Sequence, residues 1–218
     1  MDTLTVAHFL AGSLVLLSFS LLYQDRLPPL IKTFAAQSLV LVLAIAWQAE
    51  TQHAPHLLVT VAIELCFKTV LIPLVLTWII RNLKIHRTVE IVVGVGPTIL
   101  AGMALVGLSI ALMMRATPGI GDLARQDLVF ALSVVLLGML MMVTRRNAVS
   151  QVIGFMSIEN GLVLAATGAK GMPFVVETSI TFSVLIALIV IGVFLFRIRE
   201  RFDSMDVAVI DQFRGERR

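Results

Sequence analysis

The sequence predicts an all-α, polytopic membrane protein with seven transmembrane helices, its N-terminus outside and its C-terminus cytoplasmic. Three observations predict it. The chain is 58% hydrophobic and only 14% charged, with a mean hydropathy of +0.97, whereas soluble domains carry about 25% charged residues. Seven apolar runs approach the roughly 20 residues that a helix needs to cross about 30 Å of hydrocarbon. The connections between those runs alternate between rich and poor in Lys and Arg, as membrane sidedness requires.

The first run, 3–23, follows Met1-Asp2 with no basic segment and is too long for a signal-peptide core, so it reads as a retained helix. Pro28-Pro29 mark a turn before the second run, 33–49, and Pro55 precedes the third, 56–80. The fourth, 91–114, contains Gly94, Gly96 and Pro97. No strand precedes these glycines, so a kinked, closely packed helix accounts for them better than a nucleotide loop. Pro118-Gly119 and Gly121 separate it from the fifth run, 128–144; the sixth covers 149–167; Gly168, Gly171 and Pro173 precede the seventh, 174–196. Small residues recur every four positions as Ser157, Gly161, Ala165 and as Ser179, Ser183, Ala187, which predicts a close seam between the last two helices. Glu159 then lies about 160–200° away from that seam and faces another helix or subunit.

The remaining residues form short connections and a tail, which leaves no room for a soluble catalytic domain. The single cysteine, Cys66, lies within a span and excludes both an internal disulfide and an iron–sulfur cluster held by this chain alone. Of 17 basic residues, 13 fall on one side: Arg26, Lys32, Arg81, Lys84, Arg87, Arg145, Arg146 and six arginines of the tail. Three fall on the other: Arg115, Arg125 and Lys170. The richer side is the cytoplasmic one. The tail after Arg199 mixes charge with Phe202, Met205, Val209, Ile210 and Phe213, a composition suited to the membrane surface or to a partner, or to a loosely ordered end.

Two runs carry ionisable groups at mid-depth. Glu159 is the sole ionisable residue of 149–167, and Glu64 and Lys68 stand four apart in 56–80 with Lys68 at the centre. Charge at that depth is costly and marks ion pathways. Desolvation disfavours an uncompensated carboxylate, so a mid-span acid is able to take up and release a proton near neutral pH. Adjacent Asn160 polarises water or bonds across helices. Glu64 and Lys68 share a helix face in the order favoured by the helix dipole, and they either neutralise each other or exchange protons with a water file. Pro73 has no N–H for the Thr69 carbonyl, which opens a free backbone oxygen beside Lys68. Glu177 lies a few residues inside the external end of the last run, where it snorkels or serves as a proton port. His53 and His56 flank Ala54-Pro55 but lack a third metal ligand; His8 and His86 lie near membrane boundaries. Serine-hydrolase, Walker and nucleic-acid motifs are absent.

Arg145-Arg146-Asn147, Ile153-Gly154, the mid-helix Glu159-Asn160-Gly161 and the tail Met205-Asp206-Val207 resemble the K subunit of respiratory complex I and the C subunit of Mrp-type antiporters. Ala36-Gln37-Ser38-Leu39-Val40-Leu41 and Lys68 to Pro73, continuing to Arg81-Asn82, extend the likeness to the longer hydrogenase-4 component E family. The resemblance covers nearly the whole chain. It implies a four-helix region over 1–127, a K-like three-helix region over 128–200 and a cytoplasmic tail over 201–218. It further implies a non-catalytic subunit in a bacterial or archaeal cytoplasmic membrane. Its partners would be antiporter-like and other membrane subunits and, indirectly, hydrophilic [NiFe] and iron–sulfur subunits, with the lipid bilayer around it, no cofactor of its own and no nucleic acid. Two departures stand out: Met156 occupies the level of the first key glutamate of the complex I subunit, and Phe182 and Ser183 the level of its second membrane acid. Glu159, Lys68, Glu64, Asn160 and Glu177 are the expected proton pathway. The competing expectations are a structural adaptor, an Mrp-like antiporter subunit, and an independent transporter, the last disfavoured by the lack of inverted halves with interrupted helices.

Overall fold

The computed structural model describes residues 3–53, 55–82, 94–117 and 122–168, and every regular element among them is helical. In order these are α1 (Thr3–Tyr23), α2 (Leu27–Thr51), α3 (His56–Glu64), a π-helical segment (Leu65–Leu71), α4 (Ile72–Asn82), α5 (Val95–Ala116), α6 (Asp122–Thr144) and α7 (Ala148–Gly168). The segment from α3 through the π turn to α4 is one continuous span, so among the described residues six helices are long and apolar enough to cross a membrane. The chain is a multi-pass membrane protein. The seventh run, 174–196, lies outside the described residues, as do Glu177 and the tail.

Prolines that mark turns in the sequence act inside helices instead. Pro28-Pro29 occupy the first turn of α2, which begins at Leu27 behind an extended Arg26. A missing N–H costs nothing there, because the first four N–H groups of a helix have no internal partner. The second span therefore starts six residues before its apolar run. Pro97 likewise sits in the first turn of α5 behind an extended Gly94. It starts that helix rather than kinking it. The Gly94 carbonyl accepts from both the backbone N–H (3.2 Å) and the hydroxyl (3.0 Å) of Thr98. The fifth span also starts early, at Asp122, where polar residues extend the helix past its apolar stretch.

In lipid, apolar residues face outward as readily as inward. Leu58, Val59, Leu74 and Trp78 are exposed on the outer face of α3 and α4. The inner face is set by the residues at every fourth position: Thr60, Glu64, Lys68, Ile72, Leu76 and Ile80 are all buried. The span is polar inward over its first half and apolar inward over its second. Helix α2 is central, packed against α1, α3, the π segment, α4 and α7.

The tightest contact joins α6 to α7 and rests on glycine. A Cβ on Gly138 would stand 2.9 Å from the Gly154 carbonyl oxygen and 2.9 Å from the Ile158 nitrogen; one on Gly161 would stand 2.9 Å from both the Ala131 oxygen and the Val135 nitrogen. These are backbone atoms, so no side-chain rotation relieves them. The expected seam between Ser157, Gly161, Ala165 and the last helix is thus corrected for Gly161, which packs on α6; Ser179, Ser183 and Ala187 lie outside the described residues. Close approach by small residues takes the place of a hydrophobic drive between helices in lipid.

Gly138→Ala and Gly161→Ala should each destabilise the protein by about 1–3 kcal/mol, the usual cost of overpacking, measured as lost resistance to denaturant in detergent. Gly96→Ala and Gly107→Ala, where a Cβ meets nothing within 4 Å, should leave stability unchanged.

Candidate functional site

With glycine facing α6, the opposite side of α7 is free to carry polar groups. Asn160 and Glu159 lie about 100° and 200° around the helix from Gly161, which directs them to α2 and to the π segment. Glu159 accordingly faces a helix of its own chain. Its Oε1 lies 3.2 Å from Lys68 Nζ, and Glu64 Oε1 lies 3.0 Å from the same nitrogen. Asn160 Oδ1 accepts a hydrogen bond from Lys68 Nζ at 3.2 Å. Lys68 and Asn160 are fully buried, Glu64 is 1% and Glu159 4% exposed. The sequence placed Lys68 with Glu64; the fold adds Glu159 from 91 residues further along.

The helix around Lys68 is not an ordinary α-helix. The Ile72 N–H bonds to the Phe67 carbonyl, five residues back, the spacing of a π-helix, a form often found at functional sites. Pro73 follows at once. In an α-helix its ring would press on the Thr69 carbonyl, and the wider turn ahead of it accommodates that ring. One turn later, Thr77 Oγ1 donates to the Pro73 carbonyl at 2.7 Å.

A second tier of neutral groups surrounds the charges. Asn160 Nδ2 donates to Gln37 Oε1 at 3.4 Å, and Gln37 Nε2 donates to Ser18 Oγ at 2.8 Å and to Ser157 Oγ at 3.0 Å. Ser18 Oγ in turn donates to the Leu14 carbonyl at 2.9 Å. Charge and hydrogen bonding thus run without interruption through α3, the π segment, α7, α2 and α1. Gln37, Ser18 and Ser157 escaped the sequence reading as site residues. The available signal was an amide at the middle of an apolar run, the same logic that exposes Glu159.

Two carboxyl groups and one ammonium share this buried volume. With Lys68 charged, the cluster is neutral when a single proton resides on the Glu64 and Glu159 pair. Neither oxygen of Glu64 nor Thr60 Oγ1, one turn earlier, has a hydrogen-bond partner among the described residues, Glu64 Oε1 meeting Lys68 as an ion pair only.

The Arg145-Arg146-Asn147 motif has a local task. Arg145 is buried, and its Nη2 donates to the Leu22 carbonyl at 2.6 Å, one of the last four α1 carbonyls that lack a helical partner. Burial lowers the pKa of this guanidinium from its ordinary value, and the charge of Asp25 opposes that shift. Asn147 Oδ1 accepts the Val149 N–H at 2.9 Å and caps α7. The motif fixes where α7 starts and hence the register of Glu159. His53 ends α2 at a positive φ of 50°. Among the described residues no three His, Cys, Asp or Glu side chains group as metal ligands.

Lys68→Met leaves two buried carboxyl groups without their cation and should cost about 3–5 kcal/mol, read as lowered denaturation resistance. Adding Glu64→Gln alone still leaves Glu159 without the Lys68 cation and should recover only part of the loss. The triple variant Lys68→Met, Glu64→Gln, Glu159→Gln should recover most of it; equal recovery in the double and triple variants would show that Glu159 is not held by Lys68.

No family model and no solved structure matches this chain. Among curated proteins it is similar to an uncharacterised protein of Mycobacterium tuberculosis, 30% identical over 220 residues and 96% of both chains. It is also similar to hydrogenase-4 component E of Escherichia coli and of Shigella flexneri, each 29% identical over 184 residues, or 84% of this chain and 85% of theirs. Likeness at that length gives the family: the chain belongs to the hydrogenase-4 component E family.

Proposed function

We propose that the chain is a non-catalytic membrane subunit of a redox-driven, hydrogenase-type complex and that its buried cluster is one station on the complex's proton or sodium pathway. The single observation that carries this reading is Lys68 held between Glu64 and Glu159 in the interior of the bundle. A subunit with only a scaffolding duty gains little from such an arrangement, since apolar residues of similar volume pack as well or better. The membrane partners are antiporter-like subunits, and the hydrophilic subunits perform the redox chemistry. The likeness of residues 128–200 to the K subunit of complex I belongs to the same proposal. So does the orientation with the N-terminus outside, which rests on the basic-residue count.

The relay works by exchange inside the cluster. One proton moves between the two carboxyl groups while the Lys68 charge keeps either ionised carboxylate from standing alone. The second oxygen of Glu64, buried without a hydrogen-bond partner among the described residues, is where the cluster would meet water or the coupled ion. A structural adaptor is the second reading, favoured by the unbroken hydrogen-bond chain that ties four helices together.

Glu159→Gln keeps shape and hydrogen bonding and removes titration. In membrane vesicles it should lower ion translocation about 100-fold or more, the scale of losing a positioned proton carrier, with the complex still assembled and its redox activity retained. Unchanged translocation would favour the adaptor.

The orientation is checked by thiol labelling in a Cys66→Ser background, since Cys66 is exposed on the lipid-facing side. Gly119→Cys should react with an impermeant reagent in intact cells, and Ser204→Cys only after permeabilisation. Reversed labelling would invert the orientation.

A further inference from the structure

Arg145 has more hydrogen-bonding capacity than its contact with α1 uses. It is 2% exposed at the junction of α6 and α7. Of the five N–H groups of a guanidinium, one on Nη2 goes to the Leu22 carbonyl at 2.6 Å, whereas Nε and Nη1 are buried without a partner among the described residues. The residue is held at both ends, since Gln151 Nε2 donates to the Arg145 carbonyl at 3.0 Å while Leu22 holds the tip. Among the described residues no ion pair joins Arg145 to a carboxylate, and Asp25, the acid whose charge reaches it, is itself exposed. A buried cation held by one carbonyl is costly. An anion that accepts from Nε and Nη1 removes that cost.

Depth and charge select the anion. Arg145 directly follows Thr144, the last residue of its span, and the α1 span ends at Tyr23, which is exposed. An aromatic ring with a polar tip at the end of a span marks the headgroup level of a bilayer. Arg26 and Arg146 are exposed beside Asp25 and Arg145 in the two connections, so three positive charges stand against one negative charge. A basic pocket between helix ends at that depth suits an anionic phospholipid, whose phosphate accepts from a guanidinium through two oxygens at once. Lipid phosphates already lie at this level, whereas a carboxylate from another subunit would have to be brought there. We propose that Arg145 is the floor of a binding site for an anionic phospholipid: the headgroup phosphate accepts from Nε and Nη1, with Arg26 and Arg146 at the rim. The headgroup enters from the side of the connections, where Asp25, Arg26 and Arg146 are all exposed. Once bound, it neutralises the buried guanidinium and ties the end of α1 to the junction that sets the start of α7. The site owes nothing to ion movement through the Lys68 cluster.

The test uses the assembled complex, washed in detergent until its lipid content is constant. Native mass spectrometry should show a retained phospholipid that the Arg145→Gln complex lacks. Phosphatidylglycerol added in mixed micelles should raise the denaturation midpoint of the native complex above its own lipid-free value, as a ligand of the folded state does, and should leave that of Arg145→Gln where it was. Equal retention and an equal shift in both complexes would overturn the proposal. Inorganic phosphate alone should give less than the phosphatidylglycerol shift; an equal shift would make the ligand a free anion and overturn the lipid assignment. Loss of a partner subunit from the Arg145→Gln complex, with lipid retention unchanged, would give the guanidinium to a carboxylate of that subunit and overturn it as well. Should Arg145→Gln fail to assemble, Arg26→Gln combined with Arg146→Gln leaves Arg145 and its Leu22 bond in place. That variant should lose retained lipid and part of the shift, and unchanged values in it would count against the proposal in the same way.

Discussion

One buried ammonium against two buried carboxyl groups is the constraint to which the rest of the bundle answers. A charge inside hydrocarbon costs several kcal/mol unless it is paired and hydrogen-bonded. Lys68 meets that demand by drawing in side chains from two other helices, Glu159 and Asn160 from α7 and, through Asn160, Gln37 from α2. Without α7 Lys68 would keep only Glu64, and without α2 the Asn160 amide would lose Gln37. The cluster therefore acts as a register pin that only one arrangement of α2, α3, the π segment and α7 satisfies.

The glycine contact between α6 and α7 and the charge cluster are two sides of one helix. Gly154 and Gly161 let α7 approach α6 until backbone meets backbone, while Glu159 and Asn160 occupy the opposite face. Arg145 and Asn147 set the start of α7, through the Leu22 carbonyl and the Val149 N–H. Together these contacts fix depth and rotation. A shift of one residue along α7 would turn Glu159 by about 100° and remove it from Lys68.

The π segment links backbone geometry to the same cluster. A proline within a span normally frees a carbonyl and bends the helix. Here the wider turn over Leu65–Leu71 lies just ahead of Pro73, and Lys68 sits at its centre. The departure from regular helix, the buried cation and the buried carboxyl of Glu64 coincide within two turns, in keeping with the way membrane proteins confine irregular backbone to places where it lines polar interior.

The sequence by itself determined that the chain is helical and crosses the membrane repeatedly, because length and apolarity of a run are local properties that bilayer thickness converts directly into spans. It also singled out Glu64, Lys68 and Glu159, since an ionisable residue in an apolar run is conspicuous without knowing its neighbours. Helix boundaries were less legible: Pro28-Pro29 and Pro97 signal a break in general, yet the first turn of a helix tolerates proline, and only the fold shows which applies. The direction in which Glu159 points was decided by tertiary structure alone. Small residues at four-residue spacing announce a close contact but do not name its partner, and Gly161 found α6. Gln37, Ser18 and Ser157 are ordinary polar residues until three helices bring them together, and their roles exist only in the donor and acceptor geometry of that meeting.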